Sequence, residues 1–187
     1  MRVSREKAAE NRERIVEAAS RLFRDKGFNG VGLDEIAQAA GLTHGGFYRH
    51  FGSKSDLAAE ALAHDDTDHA AGQAAAPTLG NFVTGYLSQS HRDDRATGCV
   101  VAALGGEAVR QPGAVRHAFT ARVRGMIAHI AGLLDSQGAA QRRQAIATTA
   151  ALAGALVLAR AVDDPDLSDE ILAATRAWLQ AGGSKAA

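Results

Sequence analysis

The sequence predicts an all-α protein, with an N-terminal three-helix helix-turn-helix domain followed by a C-terminal helical bundle. Three observations predict it. Alanine and leucine abound and only three prolines interrupt 187 residues, a helical composition. Apolar residues recur at three- and four-residue spacing, and runs of alternating Val, Ile, Thr and aromatics are absent. Leu33 to Phe51 reads as two short helices broken by one glycine.

Taken in order, residues 1–7 are polar. From about Ala8 to Lys26, Ile15, Ala18, Ala19, Leu22 and Phe23 fall on one face of a surface helix. Gly27 stops it, and Gly30 and Gly32 lie in the link to the next. Leu33, Ile36, Ala37 and Ala40 give the second helix its apolar stripe. Gly41 follows where a left-handed backbone is needed, Leu42 tucks into the corner, and Thr43 is the N-cap of the third helix. That helix points Phe47 and Phe51 inward at i, i+4 and carries His44, Tyr48, Arg49 and His50 outward. Gly52 ends it. Ser53 then caps a fourth helix with Asp56 at N3, and Leu57, Ala61 and Leu62 continue the stripe.

The run AGLTHGGFYRHFGSKSDL, preceded by RIVEAASRLFRDKGF, closely resembles the DNA-binding domain of TetR-family transcriptional regulators. Gly41, the run Phe47 to Phe51 and Ser53-Lys54 carry the resemblance, which covers about the first third of the chain in sequence. It implies domains at 1–52 (helix-turn-helix, DNA-binding), 53–76 (connecting helix and linker) and 77–187 (effector binding and dimerisation). It also implies a DNA-facing set of Thr43, His44, Gly45, Gly46, Tyr48, Arg49, His50 and Lys54. Gly45 and Gly46 cost helix stability in a first turn, and close approach of backbone to nucleic acid is a sufficient reason for them. His44 and Arg49 suit base edges, while Tyr48, His50 and Lys54 match the family's phosphate contacts. His50 equally suits a hydrogen bond to backbone within the fold. The chain departs from the family pattern at Val31 and Gly32, where Thr or Ser is usual, so no hydroxyl–phosphate contact is expected there.

Overall charge is bland, 21 basic against 21 acidic residues, but local charge is what matters for a nucleic-acid partner. Residues 1–26 hold eight basic side chains against five acidic ones. One cysteine, Cys99, makes no internal disulfide and fits a reducing compartment. The charged N-terminus lacks a signal peptide's apolar run, and no stretch is expected to reach membrane-spanning length. A soluble, cytoplasmic protein is expected.

Beyond Pro77 the chain reads as helical throughout. Leu79, Phe82, Val83, Tyr86 and Leu87 mark one helix, followed by a charged loop, HRDDRATG. Further helices are expected at Cys99–Arg110, from Val115 to Leu134 ending near Gly138, at Arg142–Val162, and around Leu167–Leu179. The resemblance implies that the last two pair with their symmetry mates in a homodimer. Small residues on the first, among them Ala150, Ala153 and Gly154, let helices approach closely, and the candidate dimer surface adds Val157 on that helix and Ile171, Thr175 and Trp178 on the other. A buried central helix in a monomer is the competing reading. The resemblance also implies an effector pocket, for which Phe82, Tyr86, Cys99, Val101 and Leu104 are candidates, with Phe119, Val123, Met126 and Ala153. An ordinary core explains the same apolar pattern.

Cys99, after Gly98 at a helix start and near Arg92 and Arg95, reads either as an electrophile or oxidant sensor or as a small buried side chain. His64, Asp65, Asp66, Asp68 and His69 form two His/Asp pairs at i, i+4, read as an exposed acidic helix end in preference to a metal site. No nucleophile–base–acid spacing, phosphate loop or zinc pattern is present, so no enzyme, metal or cofactor is expected. The leading expectation is a homodimeric repressor released from a palindromic DNA operator by an unknown small-molecule effector, with no membrane partner. The alternatives are a helical protein-interaction module and an effector-independent DNA-binding regulator.

Overall fold

The computed structural model describes residues 5–64 and 78–182, the side chain of His44 excepted. The expected linker after His64, and the pairs that include Asp65, Asp66, Asp68 and His69, lie outside the described residues. These residues form helices and turns only: α1 Arg5–Lys26, α2 Leu33–Ala39, α3 His44–Phe47, α4 Lys54–Ala63, α5 Leu79–Tyr86, α6 Gln89–Asp93, α7 Val100–Ala108, α8 Gly113–Gly132, α9 Gly138–Ala161 and α10 Pro165–Gln180. Packing divides them into two compact units. One holds α1–α4 with residues 103–122, and the other holds residues 78–102 and 123–182. Residues 103–122, expected with the C-terminal bundle, thus count with the first unit.

In the first unit, α1 buries Ile15, Val16, Ala19 and Phe23 on one face and packs against α4 and α2. Gly27 ends it at φ +78°, the left-handed region that glycine enters at least cost. A Cβ there would collide with the carboxylate of Glu107, which accepts a hydrogen bond from the Phe28 amide at 3.0 Å. α2 ends in a Schellman turn. Gly41 lies at φ +68°, its N–H donates to Gln38 and that of Leu42 donates to Ala37. Ser53 caps α4 by accepting from the Asp56 amide at 3.0 Å, as the spacing predicts.

α3 is shorter than the sequence suggested. It is a single α-helical turn, continued to Phe51 by tighter turns in which His50 N–H donates to Phe47 at 2.8 Å. Two adjacent glycines supply too little helix propensity to extend it. Thr43 occupies the N-cap position in extended conformation, but its hydroxyl makes no capping hydrogen bond.

The second unit has a core of Phe82, Val83, Tyr86 and Leu87 from α5, with Ile130 from α8, Leu152 and Leu156 from α9, and Leu172 and Leu179 from α10. α9 packs along α10, and α10 against α5. The expected charged loop contains α6, because Ser88 caps it and Arg92 reaches across to Asp169 at 2.6 Å. Gly138, expected beyond the end of α8, instead opens α9 at φ +66°. Contrary to expectation, α9 is long and apolar enough to cross a membrane by length and composition, with mean hydropathy 1.4. Its apolarity serves the core on one side, where Ala145, Leu152, Leu156 and Ala159 are buried.

Candidate nucleic-acid interface

The site is built from a buried pair and what that pair turns outward. Phe47 and Phe51 are buried and stack at 5.6 Å and 26°. They anchor α3 to the first unit's core, at ~1.5–3 kcal/mol per fully buried large side chain. Tyr48 meets Phe47 edge-on at 5.3 Å and remains 54% exposed. Arg49, Thr43 and Gly45 are exposed, while Gly46 and His50 are half-buried. A Cβ on Gly45 would meet nothing within 4 Å among the described residues, so no packing among them requires glycine there. The side chain of His44 lies outside the described residues.

Arg12, which the sequence reading did not single out, fixes this turn in place. It donates to the His50 carbonyl at 2.5 Å, its guanidinium stands 4.2 Å above the Phe51 ring, and it pairs with Glu60 of α4. One side chain of α1 thereby ties the end of α3's turn to α4. Its partners lie 38 and 48 residues away, so nothing local announces the role.

One predicted contact residue, Lys54, has an internal role that the sequence did not show, and the surroundings of another, His50, perturb its charge. The Lys54 ammonium donates to the Val31 carbonyl and lies 5.9 Å from the Phe23 ring, which ties the first turn of α4 to the α1–α2 loop. The His50 imidazole is held below its ordinary pKa, chiefly by burial and then by the charges of Arg12 and Arg49. At neutral pH it is therefore an uncharged hydrogen-bonding group. The α2 N-terminus has Gly32 as its cap, without a side-chain bond.

The remaining predicted sites scatter. Phe82 and Tyr86 are buried in the second unit's core, with Cys99 and Met126 packed against it. Val101, Val123 and Ala153 are half-buried, whereas Leu104 and Phe119 count with the first unit. Two open clefts lie elsewhere, each about 360–370 Å³. One is lined by Arg92, Arg95, Arg160 and Ser168, the other by Arg12, Glu13, Glu60 and His64. On α9 and α10, Ala150, Val157 and Trp178 are exposed, and Ala153, Gly154, Ile171 and Thr175 are half-buried.

Residues 15–61 match the family described as bacterial regulatory proteins, tetR family. The chain is 46% identical over 59 residues to the HTH-type transcriptional regulator AcrR of Shigella flexneri, covering 32% of this chain and 27% of that protein. The match thus spans less than a third of that relative's length. Its fold is similar to that of a TetR-family regulator from Cytophaga hutchinsonii, with TM-score 0.75 and 20% identity over 97% of this chain and 98% of that one. It is also similar to the multidrug binding protein EbrR complexed with imidazole, with TM-score 0.62 and 26% identity over 88% and 93% of the two chains.

Proposed function

We propose that this chain, which belongs through its N-terminal domain to the tetR family of bacterial regulatory proteins, is a cytoplasmic, homodimeric repressor that leaves a palindromic operator when a small molecule occupies its C-terminal bundle. One observation carries the DNA reading: Phe47 and Phe51 are buried while Tyr48, Arg49 and the bare backbone of Gly45 face outward. An anchored turn that presents a cation, a phenol and an unobstructed backbone suits the major groove. In this reading Arg49 contacts base edges together with His44, and Tyr48, His50 and Lys54 set register on phosphates.

Dimerisation is supported by the apolar surface left on the last two helices. Ile146, Val157, Leu158, Leu167 and Trp178 are all more than 40% exposed. Ile146, Ala150, Ala153, Gly154 and Val157 fall at helical spacing, as do Leu167, Ile171, Thr175 and Trp178. A second copy covering these stripes removes an apolar patch from water and supplies the second reading helix that a palindrome needs. Effector release is supported by the likeness to EbrR. Its ligand must prefer a state with wrongly spaced reading helices, since only differential affinity shifts the equilibrium.

The test is binding of the full-length protein to duplexes from the region flanking its own gene, at two salt concentrations and with candidate ligands. Affinity that falls steeply with salt, for a palindromic duplex above others, supports the reading. Absence of any DNA binding at low salt overturns it.

A further inference from the structure

A second cluster, in the C-terminal unit, plays no part in DNA contact. Tyr86 is 2% exposed, and its hydroxyl has no hydrogen-bond partner of ordinary geometry among the described residues. A buried donor left unspent is costly. The Cys99 thiol lies beside it, and burial together with this neighbour pushes the phenol well above its ordinary pKa. Cys99 is a free thiol and only half-buried, so solvent reaches it.

The surroundings hold the two side chains in register. The Cys99 amide donates to His91 Nε2 at 2.9 Å, and His91 Nδ1 lies 2.7 Å from the Tyr86 carbonyl. Those partners fit a neutral ring carrying its proton on Nδ1. The same ring packs edge-on against Tyr86 at 4.7 Å. Arg160 donates to the carbonyls of His91 at 2.6 Å and Arg92 at 3.0 Å, which keeps its charge near both Tyr86 and Cys99. Gly98 makes room, since a Cβ there would meet the Arg160 guanidinium and the Asp94 carbonyl. α7 begins at Val100, so Cys99 immediately precedes a helix N-terminus.

We propose that Cys99 is a site of oxidation by hydrogen peroxide, at which the Tyr86 hydroxyl donates a hydrogen bond to the oxygen placed on sulfur. The sulfur attacks one peroxide oxygen. The S–O bond forms as the O–O bond breaks, and sulfur loses two electrons. The departing hydroxide takes the thiol proton and leaves as water, so thiol plus peroxide gives sulfenic acid plus water. The new oxygen is the acceptor that the phenol lacks, and Arg160 supplies positive charge beside it. Cys99 is the only cysteine in the chain, so no disulfide within the chain competes and the sulfenic acid persists until an external thiol attacks it. This chemistry does not depend on the DNA reading.

The experiment treats full-length protein with limiting hydrogen peroxide, traps sulfenic acid with dimedone at intervals after peroxide is removed, and locates the adduct by peptide mass spectrometry. Wild type is expected to carry one adduct, at Cys99, with none in Cys99→Ser. Tyr86→Phe keeps the ring and removes only the donor. Its sulfenic acid should decay about fivefold faster, the ratio one ordinary hydrogen bond produces. Equal lifetimes in wild type and Tyr86→Phe would overturn the proposal, as would a Cys99 that forms no adduct. Should Tyr86→Phe fail to fold, the comparison is wild type folded against wild type in urea. A sulfenic acid that decays equally fast in both also overturns it.

Discussion

Arg12 donates to the backbone carbonyl of His50 at 2.5 Å, across 38 residues of sequence, with its guanidinium over the Phe51 ring at 4.2 Å. The residue touches none of the side chains assigned to DNA, yet it sets where they stand. Arg12→Ala removes a charge-assisted hydrogen bond together with a half-exposed ion pair, and the hydrogen bond dominates the loss. The variant should lose about 1–3 kcal/mol of stability in urea unfolding. It should also bind operator at least tenfold more weakly at a temperature where it is fully folded. Arg12→Lys keeps the charge but not the two-pronged geometry, so it should recover only part of the affinity.

Gly45 separates folding from binding. A Cβ there meets nothing within 4 Å among the described residues, and alanine is the better helix former by about 0.8–1 kcal/mol. Gly45→Ala should therefore raise the melting temperature while weakening DNA binding, because the methyl group would stand where the proposed contact brings nucleic acid to the backbone. Unchanged affinity in a stabilised variant would remove the close-approach explanation for this glycine.

His50 makes stability depend on pH with a defined sign. Its pKa in the folded protein lies below the ordinary 6.5, chiefly through burial, so the unfolded chain binds more protons between the two values. Stability then rises with pH through that window. The contribution is fully present above about pH 6.5 and is lost as pH falls toward the folded-state value. Urea titrations of wild type and His50→Gln between pH 5 and 8 isolate it, and the difference between them should shrink in that direction.

Trp178 is 52% exposed on α10, and Val157 is 44% exposed on α9. If a second copy covers them, Trp178→Glu and Val157→Glu should convert a dimer to a monomer in sedimentation velocity at micromolar concentration. Each places a charge in an apolar contact. Secondary structure should persist, since neither side chain belongs to the second unit's core.

Features set by neighbours in sequence were legible. Gly27 and Gly41 adopt the left-handed backbone that their positions require, Ser53 caps α4, and Phe47 and Phe51 point inward. Features set by distant partners were not. Nothing near Lys54 announces that its ammonium turns to the Val31 carbonyl, and nothing near Glu107 announces that it caps the Phe28 amide 79 residues away. α3 stops after one turn because its two glycines outweigh the periodicity that suggested a longer helix. The unspent hydroxyl of Tyr86 is a fact of packing, and the spacing that marked Tyr86 as apolar lining could not reveal it.

The most direct test of the DNA reading is a fluorescence-anisotropy titration of wild type, Tyr48→Phe and Arg49→Ala against a palindromic operator and a scrambled duplex at two salt concentrations. The account predicts that Tyr48→Phe weakens both duplexes alike, whereas Arg49→Ala loses about 1–3 kcal/mol on the operator alone, narrowing the gap between the two. Equal loss on both duplexes for Arg49→Ala would contradict the assignment of base readout to the exposed turn that continues α3.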